Sequence, residues 1–191
     1  MSQSSRTVCW IPLWSAAQPG VGIEHLRLSD EHADGVVIAI DEEAGPFRLA
    51  YRLDWDECWR LSEAALSLID GEGASLRAMQ LKTDGDGRWQ DGEGRALADL
   101  DGCLDIDIWP TPFTNSFPIR RVPLAIGERR EFRMAWVDGT TLTVRAQTQA
   151  YTRIEDRLFR FESLDGSGFT ADLPVDEDGL VIDYPELFRR L

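Results

Sequence analysis

The chain has 191 residues, 43% of them apolar, with 34 acidic against 20 basic side chains and a formal net charge of −14. That length and composition predict a single globular domain over residues 1–191, with a core large enough to stand without disulfide staples. The charge excludes a nucleic-acid binder and a protein that adsorbs to anionic membranes, because both need a basic face.

The N-terminal stretch MSQSSRTVCWIPLW carries one basic residue but no long apolar region and no small-residue cleavage site. No signal peptide is read there, so a cytoplasmic protein is expected. The longest apolar runs fall far short of the ~20 residues that cross a bilayer as a helix, so no stable membrane insertion is expected. Cys9, Cys58 and Cys103 are odd in number and widely spaced, which suits free thiols better than a disulfide framework or a zinc site. With only His25 and His32 present, a histidine-rich metal centre is excluded, and no cofactor is expected.

In QPGVGIEHLRL, the PGVG run of Pro19–Gly22 is too short for a phosphate loop and lacks the Lys-Ser/Thr that would complete one. His25 suits either a general base or a hydrogen-bonded structural residue. Phe47–Leu53 then alternates: Phe47, Leu49, Tyr51 and Leu53 share one face, and Arg48, Ala50 and Arg52 take the other. Such a period of two marks a strand with one buried face. Trp55–Ile69 has helix formers in its middle, but we read it as a strand leading into the next hairpin. Trp55 and Trp59 share a face if extended, and serve either as core or as plates for a sugar ring or lipid.

Glycines between Gly85 and Gly94 mark turns, and a new strand follows in DIDIW, Asp105–Trp109. It runs into PTPFTNSFPIRR. Pro110, Pro112 and Pro118 fix φ and bias Trp109, Thr111 and Phe117 towards extended geometry. Thr111, Thr114, Asn115 and Ser116 can bond nearby backbone. If the segment is extended, Arg120 and Arg121 point to opposite faces. One can then meet Asp105 and Asp107, and the other solvent or a ligand. This leaves two readings, a loop held by an internal Asp–Arg network or the polar rim of a pocket. Asp105 and Asp107, ~6.5–7 Å apart along a strand, also admit a glycosidase-like pair.

Glu131–Val137, Thr140–Tyr151, Arg157–Phe161 and Phe169–Val175 continue the strand pattern. Asp138-Gly139, Asp165–Gly168 and Glu177–Gly179 supply tight turns between them. Tyr151 and Tyr184 carry polar tips that want partners; they suit either closing a pocket mouth or tying the C-terminal helix to the sheet, and we expect the second. The terminal YPELFRRL, with Pro185 placed for a first helical turn, predicts a short helix. The fold class is therefore mainly β, with about ten or more antiparallel strands. A sheet of that size must twist and curl into a roll, barrel or sandwich. No GxSxG, HExxH, GxGxxG or Walker sequence is present.

The ordered motifs resemble one bacterial family. They begin with GIEHL (Gly22–Leu26), YRLD (Tyr51–Asp54), Trp59-Arg60, GRW (Gly87–Trp89) and GCLDIDI (Gly102–Ile108). They continue with TPFTNSFPIRR (Thr111–Arg121), QAYTR (Gln149–Arg153), Asp176, GLV (Gly179–Val181), DYP (Asp183–Pro185) and Phe188-Arg189. The family is that of the putative glycolipid-binding proteins, formerly a domain of unknown function, and the resemblance runs from about Trp14 to Phe188. It implies a long antiparallel sheet curled into a spiral roll or half-barrel, similar to bacterial lipoprotein and lipid carriers. It also implies a lipid or glycolipid ligand, without assigning residues to it.

On that basis we expect an apolar hollow lined by Trp55, Trp59, Trp109 and Phe113. Asn115, Arg120 and Arg121 would form its polar rim, with Asp105 and Asp107 at hand. The alternatives are a roll filled by its own side chains, and a hydrolase acting on a sugar or lipid ester through Asp105 or Asp107 with His25.

Overall fold

A computed structural model describes residues 5–14, 21–71 and 76–191, so Pro19 and Gly20 of the PGVG run lie outside the described residues. The fold is mainly β: a large antiparallel sheet with a second sheet curled as a half-barrel. Strands β1 (Arg6–Pro12), β2 (Gly22–Leu28), β3 (His32–Asp41), β4 (Gly45–Trp55), β5 (Leu61–Asp70), β6 (Leu76–Thr83) and β7 (Trp89–Asp91) pair in sequence order. The other sheet contains β8 (Asp105–Trp109), β9 (Arg129–Asp138), β10 (Thr143–Glu155), β11 (Leu158–Ser163) and β12 (Thr170–Pro174), also in order. The chain then returns to the first sheet, where β13 (Asp183–Tyr184) and β14 (Phe188–Arg190) add to the free edge of β1 and bring it to nine strands. Of the strand expected over Trp55–Ile69, Leu61–Ile69 lies in β5, but a turn held by Asp56 separates it from Trp55 at the end of β4.

Alternation explains the large sheet. Phe47, Leu49, Tyr51, Leu53 and Trp55 of β4 are all buried, and their cross-strand partners Ala39, Val37, Gly35 and Ala33 on β3 are buried with them. Gly35 has a specific task. A Cβ there would lie 2.0 Å from Cζ of Tyr51, so only glycine lets that ring lie flat across β3. The Tyr51 hydroxyl thereby reaches Glu24 on β2.

Four loops repeat one device. Asp56, Asp84, Asp91 and Asp176 each use Oδ1 to accept the backbone N–H groups two and four residues ahead. The residue three ahead is left-handed: Gly87, Gly94 and Gly179 in three loops, but Trp59, at φ 60°, in the fourth. A left-handed tryptophan costs ~1–2 kcal/mol, offset by its packing. Its ring stacks on Trp55 at 5.0 Å and meets Phe117 edge-on at 5.6 Å.

Three expectations need correction. The C-terminal YPELFRRL is not a helix. It forms the β13–β14 hairpin, turned at Glu186 (φ 65°), with Phe188 paired to Pro12 and Arg190 to Trp10. A free strand edge and burial of Phe188 outweigh the helical propensity of so short a segment. The helix lies instead in the proline-rich crossover, where a 3₁₀ turn over Phe113–Asn115 leads into α1 (Ser116–Arg121). Pro118 falls in the first turn of α1, where no N–H is needed, so it starts the helix rather than preventing it. Finally, the second sheet is not wholly antiparallel: β8 and β9 run parallel, and residues 110–128 form the crossover that this pairing requires.

Candidate functional site: an aromatic cleft over strand β10

Strand β10 carries Arg145, Gln147, Gln149 and Tyr151 on one face. Along that stripe burial rises from an exposed Arg145 through a half-buried Gln147 to Gln149 and Tyr151, each 1% exposed. Register places Trp136 of β9 opposite Arg145, Ser163 of β11 opposite Gln149, and Asp107 of β8 opposite Trp136. The result is a cleft of about 290 Å³ walled by Trp109, Trp136, Phe161, Phe169 and Tyr184. A smaller inner chamber of about 50 Å³, bounded by Ile108, Thr111, Asn115 and Phe188, adjoins it. Both spaces share Asp107, Trp109, Trp136, Tyr184 and Leu187. At the mouth, the Arg145 guanidinium lies over the Trp136 ring, 4.2 Å from its centroid.

The floor is an ordered polar network. Gln149 donates from Nε2 to Asp107 Oδ2 at 2.5 Å, and Thr114 donates from Oγ1 to Asp107 Oδ1 at 3.0 Å. Tyr151 donates its hydroxyl to Asn115 Oδ1 at 2.8 Å, and Asn115 donates from Nδ2 to the Pro112 carbonyl at 3.1 Å. Desolvation pushes the Asp107 carboxyl above the usual range, against the pull of these donors. The bond to Asp107 also fixes the Gln149 amide, whose Oε1 is buried without a hydrogen-bond partner. A buried acceptor left unmade costs ~1–3 kcal/mol.

A second polar group sits behind the chamber. Thr111, on the chamber wall, donates from Oγ1 to Glu24 Oε1 at 2.6 Å, and Tyr51 donates to the same oxygen at 2.5 Å. Glu24 is wholly buried and its Oε2 has no partner. Burial pushes its pKa up to about 8, the two donors only partly opposing it.

The expected site residues divide. Asp107, Trp109 and Asn115 meet at the cleft. Asp105 and Arg121 instead lock each other in a bidentate pair, with Nε to Oδ1 at 2.7 Å and Nη2 to Oδ2 at 2.6 Å. Desolvation raises the Asp105 carboxyl even so. Trp55 and Phe113 are core, packed at 6.0 Å from each other and each against Phe117. The expected apolar hollow is therefore occupied by the protein's own rings. Arg120 and Arg121 do not sit on opposite faces of an extended chain, because both lie in the last turn of α1. Arg120 points away from the cleft and covers Trp59 at 5.0 Å, beside a separate depression that also includes Arg6 and Glu57. His25 is exposed on the outer face of β2, opposite in parity to the inward Glu24, Leu26 and Leu28, so the large sheet separates it from Asp107.

Sequence reasoning passed over Trp136, Gln149 and Glu24. The signal was parity: Gln147, Gln149 and Tyr151 share one face of β10, and Glu24 shares the inward face of Leu26 and Leu28. Among the described residues no three His, Cys, Asp or Glu side chains converge as a metal site would require. No helix among them is long and apolar enough to cross a membrane.

A family profile described as "Putative glycolipid-binding" matches residues 12–190. The chain belongs to that family. It is 50% identical to a DUF1089 family protein from Pseudomonas aeruginosa whose crystal structure was solved at 1.80 Å. The two superpose with a TM-score of 0.86 over 94% of this chain and 96% of that one. No curated protein matches the chain. In this member of the glycolipid-binding family, the TPFTNSFPIRR block supplies Thr114 and Asn115 to the cleft floor and Arg121 to the buried ion pair.

Proposed function

We propose that the protein binds a glycosylated ligand and holds its sugar head group in the cleft over β10, with any apolar tail left at the open mouth. The observation that carries this reading is the Gln149 amide on the wall of an aromatic cleft, fixed by Asp107 and left with a buried acceptor that has no partner. Aromatic walls with a few convergent polar groups are the usual make-up of a small-molecule site. Sugar rings offer both the apolar C–H faces that stack on such walls and the hydroxyl donors that an orphan acceptor lacks. The cleft, about 290 Å³, suits a single ring better than long acyl chains. Family membership supports the glycolipid class, and the packed Trp55–Phe113–Phe117 cluster speaks against storing the tail within the fold.

The test is titration with octyl β-D-glucoside below its micellar concentration, followed by tryptophan fluorescence and calorimetry. Saturable binding is expected, weakened about tenfold in Trp136→Ala, where a stacking plate is lost from a half-buried position. Absence of saturable binding, or equal binding by the variant, contradicts the assignment of this cleft.

A further inference from the structure

The interior of the cleft is rich in acceptors. Gln149 Oε1 is unpartnered, Asp107 presents a carboxyl group, and Arg145, the one cation among the described residues that line the cleft, stands at the mouth over the Trp136 ring. An anionic head group pressed into that interior would face carboxyl and amide oxygens without a counter-charge. A ligand that brings donors is the complementary one.

The inner chamber adds a second constraint. Its volume of about 50 Å³ is too small for a ring but accommodates a substituent of a few heavy atoms. Ile108, Leu187 and Phe188 give it an apolar wall, and Asp107 stands at the boundary with the outer cleft. Tyr184 borders both spaces and brings a phenolic hydroxyl, a donor of the kind a carbonyl oxygen needs. An apolar end, a carbonyl acceptor and an N–H donor in one short group describe an acetamide.

We infer that the cleft is built for a neutral N-acetylated amino sugar, with the pyranose between the aromatic walls and the acetamido group in the inner chamber. In this arrangement the acetamido methyl contacts Ile108 and Leu187, its carbonyl accepts from Tyr184, and its N–H donates towards Asp107 and Gln149 Oε1. The inference rests on the proposed sugar-binding role of the cleft and specifies its ligand.

The test compares methyl N-acetyl-β-D-glucosaminide, methyl β-D-glucopyranoside and glucose 6-phosphate by calorimetry and by NMR of the full chain. The N-acetyl glycoside should bind at least about tenfold more tightly than the glucoside, from one buried methyl and one or two added hydrogen bonds. Glucose 6-phosphate should bind more weakly than either. Leu187→Phe, which narrows the chamber, should bring the preference for the N-acetyl glycoside below about twofold. Equal or tighter binding of the glucoside, tightest binding of the phosphate, or an undiminished preference in Leu187→Phe overturns the inference while leaving sugar binding standing. If no glycoside perturbs the cleft, this inference and the proposed function fall together.

Discussion

The inward face of the large sheet and the cleft face of the second sheet are built from the same alternating pattern and end in opposite states. On the large sheet, Trp10, Leu26, Leu49, Leu53, Leu61 and Leu68 are all 1% exposed or less, and rings from the crossover fill the space above them. On the second sheet, the stripe Arg145-Gln147-Gln149 climbs from the interior into an open cleft and leaves a buried acceptor unpaired. A curled sheet alone therefore says little about where a ligand goes. A face closed by its own side chains has nothing to offer an acyl chain, whereas unmet hydrogen-bonding capacity beside aromatic walls has something to gain from a partner.

The sharpest way to probe the closed face is through Glu24, wholly buried with Oε2 unpartnered. Its pKa rises from 4.5 to about 8 on folding, which corresponds to about 5 kcal/mol at most. Below pH 4.5 the group is protonated in both states and costs nothing. As pH rises towards 8 the unfolded chain loses this proton while the folded one keeps it, so stability falls, and above 8 the full cost is present. Glu24→Gln should remove that dependence. Denaturant titrations at pH 5 and pH 8 should show the variant gaining on the wild type by several kcal/mol at the higher pH. Parallel pH profiles would mean that Glu24 is hydrated or ionised in the fold.

The Asp105–Arg121 pair ties the start of β8 to the end of α1. Arg121→Ala should destabilise the protein by about 3–5 kcal/mol, because it strands a buried carboxylate. Replacing both partners with apolar residues should recover most of that loss. Gln149→Met should have the smallest effect on stability, about 1 kcal/mol, since the lost bond to Asp107 is offset by removal of an unsatisfied oxygen. Sugar binding should nevertheless disappear. Thermal melts and glycoside titrations on the same preparations separate these outcomes; a loss of stability from Gln149→Met as large as that of Arg121→Ala would make the amide a strut rather than a ligand contact.

Much of the fold was legible because alternation and Asp-Gly turns are local. The burial of Phe47–Leu53 follows from side-chain parity, and the loop at Asp84–Arg88 follows from an aspartate with a glycine three residues on. Long-range competition was not legible. YPELFRRL has helical propensity, but pairing with β1 decides its state, and that edge lies more than 170 residues away in sequence. Pro110, Pro112 and Pro118 suggested extension, and only the partners of Thr114, Asn115 and Arg121 fix the segment as a 3₁₀ turn and helix. The candidate site was half legible. Asp107, Trp109 and Asn115 drew notice as part of a dense polar and aromatic run. Gln149 and Trp136 did not, because their meaning depends on the register of β8, β9, β10 and β11. Beside the conspicuous His25, Glu24 was passed over, although an acid in step with Leu26 and Leu28 is the more unusual of the two.

The most direct measurement of the central claim is NMR of the seven tryptophan indole N–H groups during titration with methyl N-acetyl-β-D-glucosaminide. The cleft assignment predicts that the signals of Trp109 and Trp136 shift and saturate together. Those of Trp10 and Trp89, bonded to the carbonyls of Val181 and Cys103 at 2.8 Å each, should stay in place. Shifts confined to Trp55 and Trp59, or no saturable shift at all, would contradict it.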